Sequence, residues 1–206
     1  VEIISHRGYW LEANQRNQPI AFQRSFDLGY GTETDVRDCG GRLVISHDMP
    51  TGSEMTLDSL LDIMGDRNLP LAINIKADGL AQALADKFKE RGHTNWFVFD
   101  MAVPDMRSYF SKEVCTYTRL SDVEPVPAWL EYSAGIWLDH FSTGHFSNEI
   151  ILSYLEQGKK ICIVSPELHG RDYISAWTSL LPLKDKAGLM ICTDKPEQAH
   201  AFFRET

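Results

Sequence analysis

Residues 31–48 read Gly-Thr-Glu-Thr-Asp-Val-Arg-Asp-Cys-Gly-Gly-Arg-Leu-Val-Ile-Ser-His-Asp. As extended chain, Glu33 and Asp35 leave one face while Thr34 and Val36 leave the other, because side chains alternate along a strand. A turn at Cys39-Gly40-Gly41 leads into a second extended run, 43–46, which ends at His47-Asp48. Two acids projected from one strand suit a hard divalent cation, whose ligands are oxygens. An imidazole at the end of the next extended piece supplies an acid or base that titrates near neutral pH. Taken alone, Glu-x-Asp is an ordinary solvated strand face and His-Asp an ordinary loop. The N-terminus repeats the theme, however: Val1-Glu2-Ile3-Ile4 is a short apolar strand that stops at Ser5-His6-Arg7-Gly8.

Outward from this stretch, short apolar strands are predicted over 2–5, 31–37, 71–76, 96–99, 114–118, 135–138, 160–164 and 189–192, with 43–46 as an extra extended piece. Helical spacing falls between them, over 19–28, 56–64, 79–91, 147–156, 172–181 and 195–204. The clearest is 79–91, where Leu80, Ala83, Leu84 and Phe88 form one stripe opposite charged residues. Asp194 with Pro196 opens the last helix as an N-cap with proline in the first turn. Eight strands alternating with helices predict parallel βαβ units closed into a (β/α)8 TIM barrel, one compact α/β domain over 1–206. In that fold chemistry sits at the C-terminal ends of strands. His6, Arg7, Asp35, His47 and Lys76 all fall at or just beyond a predicted strand end.

At 206 residues the chain suffices for one substantial core, near the short end of the range for such a barrel, so its loops must be short. A net charge of -9 argues against a nucleic-acid partner or an anionic membrane surface, either of which calls for a basic patch. No apolar run reaches the roughly 18 residues of a membrane span. The four cysteines, at 39, 115, 162 and 192, lack metal-finger spacing, and Cys162 and Cys192 read as small buried hydrophobes. A reducing, cytoplasmic setting is expected from them, with a removed leader left open by a first residue that is Val1.

The ordered set His6-Arg7-Gly8, Asn17 with Ala21-Phe22, Gly29, Glu33-x-Asp35-Val36 and His47-Asp48 resembles the glycerophosphodiester phosphodiesterase family. The likeness continues more thinly through residues 56–61, Lys76 and Cys192-Thr193-Asp194-Lys195-Pro196, and is dense only in the first 76 residues. It implies the same barrel, and a metal-dependent hydrolase taking a small-molecule phosphodiester to an alcohol and a phosphomonoester. It also implies that Glu33 and Asp35 hold a divalent metal, Mg2+ or Ca2+, and that His6 and His47 form the acid–base pair. Which imidazole is base and which acid stays open. Arg7 is suited to grip phosphate oxygens bidentately, and Lys76 to add a point charge to the developing dianion.

Two departures from the family pattern stand out. Where the family has Glu-x-Lys, this chain reads Asn74-Ile75-Lys76, so the third metal ligand is expected to be the Asn74 amide oxygen, with one negative charge fewer. Glu167, beyond the strand over 160–164, is expected to touch substrate rather than to replace Asn74. Arg16 stands where the family has an acid. Polar residues after the later strands (Asp100, Asp139-His140 and 167–171), with Tyr9, Trp10, Trp129 and Trp137 as candidate walls, suggest a glycerol- or sugar-like headgroup. Two rival readings remain. One is a phospholipase-D-like or phospholipase-C-like relative that leaves a cyclic phosphate, and the other is a non-catalytic phosphate- or metal-binding barrel. The sequence does not bear on oligomeric state.

Overall fold

A computed structural model describes residues 1–142 and 144–205. In chain order the elements are β1 (Glu2–His6), α1 (Pro19–Asp27), β2 (Gly31–Cys39), β3 (Arg42–Ile45), α2 (Leu57–Met64), β4 (Leu71–Ile75), α3 (Ala81–Arg91) and β5 (Trp96–Phe99). They continue with α4 (Met106–Phe110), β6 (Tyr117–Leu120), β7 (Gly135–Leu138), α5 (Asn148–Glu156), β8 (Lys160–Val164), α6 (Ile174–Leu180), β9 (Leu189–Thr193) and α7 (Pro196–Glu205). Two compact units are defined by the contacts within them: residues 5–116, and residues 117–206 with 1–4.

In the 5–116 unit, β2 pairs in parallel with β4 and β4 with β5, placing Asp35 opposite Asn74 and Asn74 opposite Phe99. The expected extra piece is a hairpin arm, β3 lying antiparallel to β2 with Cys39 opposite Arg42. The two residues between them, Gly40 and Gly41, both have positive φ (56° and 77°), as a two-residue turn matched to strand twist requires. Helices form where the apolar stripe was predicted. α1 buries Ala21, Phe22 and Phe26, α2 buries Leu57, Leu60, Leu61 and Met64, and α3 buries Leu84 and Phe88 with Ala81, while Ala83 of the predicted stripe is exposed. The Thr56 hydroxyl caps α2 by accepting from the Ser59 N–H at 3.2 Å.

In the other unit β6, β7, β8 and β9 pair in parallel one after another. Trp177 of α6 is buried there among Tyr173, Phe202 and Phe203 and donates its indole N–H to Ser165 Oγ at 2.8 Å. Gly135 opens β7 because a Cβ there would meet the Lys160 carbonyl oxygen at 2.6 Å. Cys162 and Cys192 are buried, as expected, whereas Cys39 and Cys115 are only partly buried. Parallel strands alternating with helices, with one added antiparallel arm, give the (β/α)8 class that the sequence predicts.

One predicted strand is displaced. The apolar Val114-Cys115 reads as the start of a strand over 114–118, yet β6 begins at Tyr117 and Thr116 makes only an isolated parallel bridge to Val98. The unexpected helix α4 explains this. Met106 and Tyr109 are buried as its anchors, and the chain leaves it through Glu113 at φ 56°, so the residues before 116 turn rather than extend. Among the described residues no helix is long and apolar enough to cross a membrane.

Candidate active site

The site in the 5–116 unit is assembled around the end of β1. On the helix-facing side, Ser5 Oγ contacts Ser25 Oγ at 2.7 Å and donates to Thr32 Oγ1 at 3.0 Å, while Thr32 Oγ1 accepts from the Gly8 N–H at 2.9 Å. These hydroxyls are buried and satisfied, so they pin the turn that follows the strand. Gly8 has φ 80°, and a Cβ there would lie 2.7 Å from the Ala21 Cβ. The glycine of His-Arg-Gly thus lets α1 close against the turn carrying His6 and Arg7.

The strand parity read from the sequence holds. Glu33 and Asp35 are both buried on one face of β2, and three cationic or titratable side chains surround them. His6 Nε2 lies 3.9 Å from Glu33 Oε2. Arg7 forms an ion pair with Asp35 (Nε to Oδ2, 3.0 Å), and Lys76 a second (Nζ to Oδ1, 3.4 Å). Lys76 lies one residue past β4 and is held there by its N–H, which donates to the Val36 carbonyl at 3.0 Å. Arg7 is itself in the left-handed region at φ 57°, with its N–H donating to the Glu33 carbonyl at 2.9 Å. Burial, then the Asp35 charge, hold the Glu33 carboxyl up at about 7, against the pull of His6, Arg7 and Lys76.

The remaining predicted residues are placed as follows. His47, half exposed just beyond β3, pairs with Asp48 (Nδ1 to Oδ1, 2.8 Å), and its carbonyl accepts from Arg37 Nε. The His47 side-chain hydrogen bond is the main cause holding the Asp48 carboxyl below its ordinary range, with the Arg7 charge also contributing. Asn74 is buried beside Asp35 in register, and Asn74 Oδ1 has no hydrogen bond. Glu167 lies in the other unit with both oxygens in use: Oε1 accepts from Thr193 Oγ1 and the Asp194 N–H, and Oε2 from Ser165 Oγ. It ties the end of β8 to the end of β9. Of the candidate walls, Trp137 is buried core on β7 and Trp129 packs on Tyr132. Trp10 donates its indole N–H to the His6 carbonyl at 3.1 Å. The Arg16 guanidinium lies over the Trp10 ring at 4.2 Å, which gives the departing Arg16 a packing task.

Asn17 appeared in the sequence only as part of a motif. Its Nδ2 donates to Asp35 Oδ2 at 2.9 Å, its Oδ1 accepts from Thr34 Oγ1 at 2.9 Å, and its own N–H donates to the Arg7 carbonyl at 2.9 Å.

The chemistry of the acid pair can be tested against a divalent cation. Asp35 Oδ1 and Asn74 Oδ1 are buried oxygens without hydrogen bonds on paired positions of neighbouring strands, and Glu33 shares the strand face with Asp35. Buried oxygen donors without hydrogen bonds fit a hard cation. Among the described residues no group of three His, Cys, Asp or Glu side chains is arranged to hold a metal ion.

Two buried acids, an imidazole and two cations thus lie together at strand ends of a (β/α)8 scaffold. Solved structures share that scaffold over nearly the whole chain. A glycerophosphodiester phosphodiesterase from Agrobacterium tumefaciens str. C58 superposes with a TM-score of 0.73 at 18% identity, covering 98% of both chains. A glycerophosphoryl diester phosphodiesterase from Parabacteroides distasonis ATCC 8503 gives 0.71 at 13% identity, covering 99% of this chain and 86% of that one. At such identities the likeness is one of fold. No protein-family model matches the sequence, and no curated protein does.

Proposed function

We propose that this chain is a phosphoric diester hydrolase that cleaves small glycerophosphodiester-like substrates with the help of a divalent cation. The observation that carries the reading is the convergence of His6, Arg7 and Lys76 on the buried pair Glu33 and Asp35 at strand ends. The fold shared with two solved phosphodiesterases supports it. Glu33, Asp35 and the Asn74 amide oxygen would hold the ion, Mg2+ or Ca2+, which when bound supplies Lewis-acid polarisation of the phosphoryl group. Arg7 and Lys76 then offset the charge that builds on the phosphate oxygens. His6 and His47 divide the proton work, one removing a proton from the attacking water and the other giving one to the leaving alkoxide. For His47 the Asp48 carboxylate fixes Nδ1 and so presents Nε2 for that exchange.

A second reading, a barrel that binds phosphate or metal without turnover, draws on one observation. Asp35 is already paired with two cations, and the third donor carries no charge. Assay of bis(p-nitrophenyl) phosphate and glycerophosphodiesters with Mg2+, Ca2+ or EDTA separates the two. Metal-stimulated hydrolysis is expected, with a phosphomonoester in the phosphorus NMR spectrum. A cyclic phosphate as end product would assign the chain to the phospholipase-like branch, and no turnover with bound metal would assign it to the binding module.

A further inference from the structure

Asp35 is fully buried, and its two oxygens have different surroundings. Oδ2 accepts the Asn17 side-chain N–H and pairs with Arg7, whereas Oδ1 has no hydrogen bond and lies 3.4 Å from the Lys76 ammonium. The Asn17 amide has one allowed orientation here. Reversed, its carbonyl oxygen would stand against a carboxylate oxygen at hydrogen-bond distance, and two acceptors repel. The Thr34 hydroxyl reinforces that orientation from the other end by donating to Asn17 Oδ1, and Thr34 is itself buried on the opposite face of β2. Asn17 holds this position at φ 57°, a conformation asparagine tolerates better than most residues, with its N–H fixed on the Arg7 carbonyl.

We propose that Asn17 is the positioning residue of the site. Aimed by Thr34, its amide occupies Asp35 Oδ2 and locks the carboxylate so that Oδ1 is the oxygen presented to a cation. The inference rests on the reading of the acid pair as a cation site and adds which oxygen serves it and what sets its direction. Partners that orient a ligating carboxylate in this way typically contribute 10–100-fold in affinity or rate. Because the relay runs from Thr34 through Asn17 to Asp35, the two residues act as one unit.

Binding of Mn2+ to the full chain by calorimetry, alongside kcat and KM for bis(p-nitrophenyl) phosphate, tests it. Asn17→Ala should weaken Mn2+ binding roughly 10–100-fold and lower kcat more than it raises KM. Asn17→Gly, which keeps the positive φ without strain, should lose as much, showing that the amide rather than the turn is responsible. Thr34→Val never touches the acid face, yet should weaken Mn2+ binding by a smaller factor. It should add nothing in the Asn17→Gly background. Wild-type Mn2+ affinity in Asn17→Gly or Thr34→Val, or additive losses in the double variant, would overturn the relay while the hydrolase reading stands. If Asn17→Ala does not fold, the Thr34→Val and Asn17→Gly measurements decide alone. A wild-type chain that neither binds Mn2+ nor turns over the diester overturns the site reading and the relay with it.

Discussion

At the scale of the residue, the fold gives side chains that look alike in the sequence different surroundings. His6 lies against the acid pair while His47 sits half exposed with Asp48, so the two imidazoles differ in surroundings. If both serve as proton carriers, His6→Ala and His47→Ala should each lower kcat by roughly 100- to 10,000-fold with an unchanged thermal melt. A variant that keeps near-wild-type turnover removes that histidine from the mechanism. The Asn74 amide predicts a weak cation site, so Asn74→Glu should tighten the calorimetric Mg2+ or Ca2+ dissociation constant by on the order of tenfold. An unchanged titration would show that residue 74 is not a ligand. The acid pair was legible in advance because strand parity alone puts Glu33 and Asp35 on one face. Asn17 was not, because it lies in a turn, where neither period 2 nor period 3.6 says which way a side chain folds back.

At the scale of the element, residues that set a boundary can be told from residues that set the site. Thr56 caps α2, whose Leu57, Leu60, Leu61 and Met64 are buried, and its hydroxyl bonds with Ser59. Thr56→Ala should therefore cost about 1 kcal/mol in a urea melt and leave turnover alone. Gly8 lies between α1 and the turn after β1, at φ 80° and with the Ala21 Cβ 2.7 Å from where its own would be. Gly8→Ala should cost more, roughly 1–3 kcal/mol, and should also reduce turnover, because relief of the clash moves His6 and Arg7. Equal stability losses, or full activity in Gly8→Ala, would contradict this account. Periodicity located α1, α2 and α3 because their apolar stripes are long enough to repeat. It failed at α4, a single short turn of helix with two buried anchors, and so misplaced the start of β6.

At the scale of the whole molecule, eight apolar runs alternating with amphipathic ones pointed to the parallel barrel, and the family resemblance implied the same fold. What alternation could not show is how the chain manages an anionic cluster when its net charge is already -9. Asp35 is matched by Arg7 and Lys76, and Glu33 meets the cost of burial by holding its proton up to about 7. Global stability is tied to that proton. In the unfolded chain Glu33 ionises near its ordinary value of 4.5, so between that pH and about 7 the folded state binds more protons than the unfolded one. Stability from this group is therefore fully present below the unfolded value and lost as pH rises through about 7, a change on the order of 3 kcal/mol. Chemical denaturation of the metal-free protein in EDTA should accordingly show stability falling from pH 5 to pH 8, and Glu33→Gln should flatten the fall. A saturating divalent cation should reverse the slope, because ligation requires the ionised carboxylate and stabilises the fold by mass action. A metal-free profile that rises over this range, or one that Glu33→Gln leaves unaltered, would mean that Glu33 is ionised in the folded protein at all these pH values.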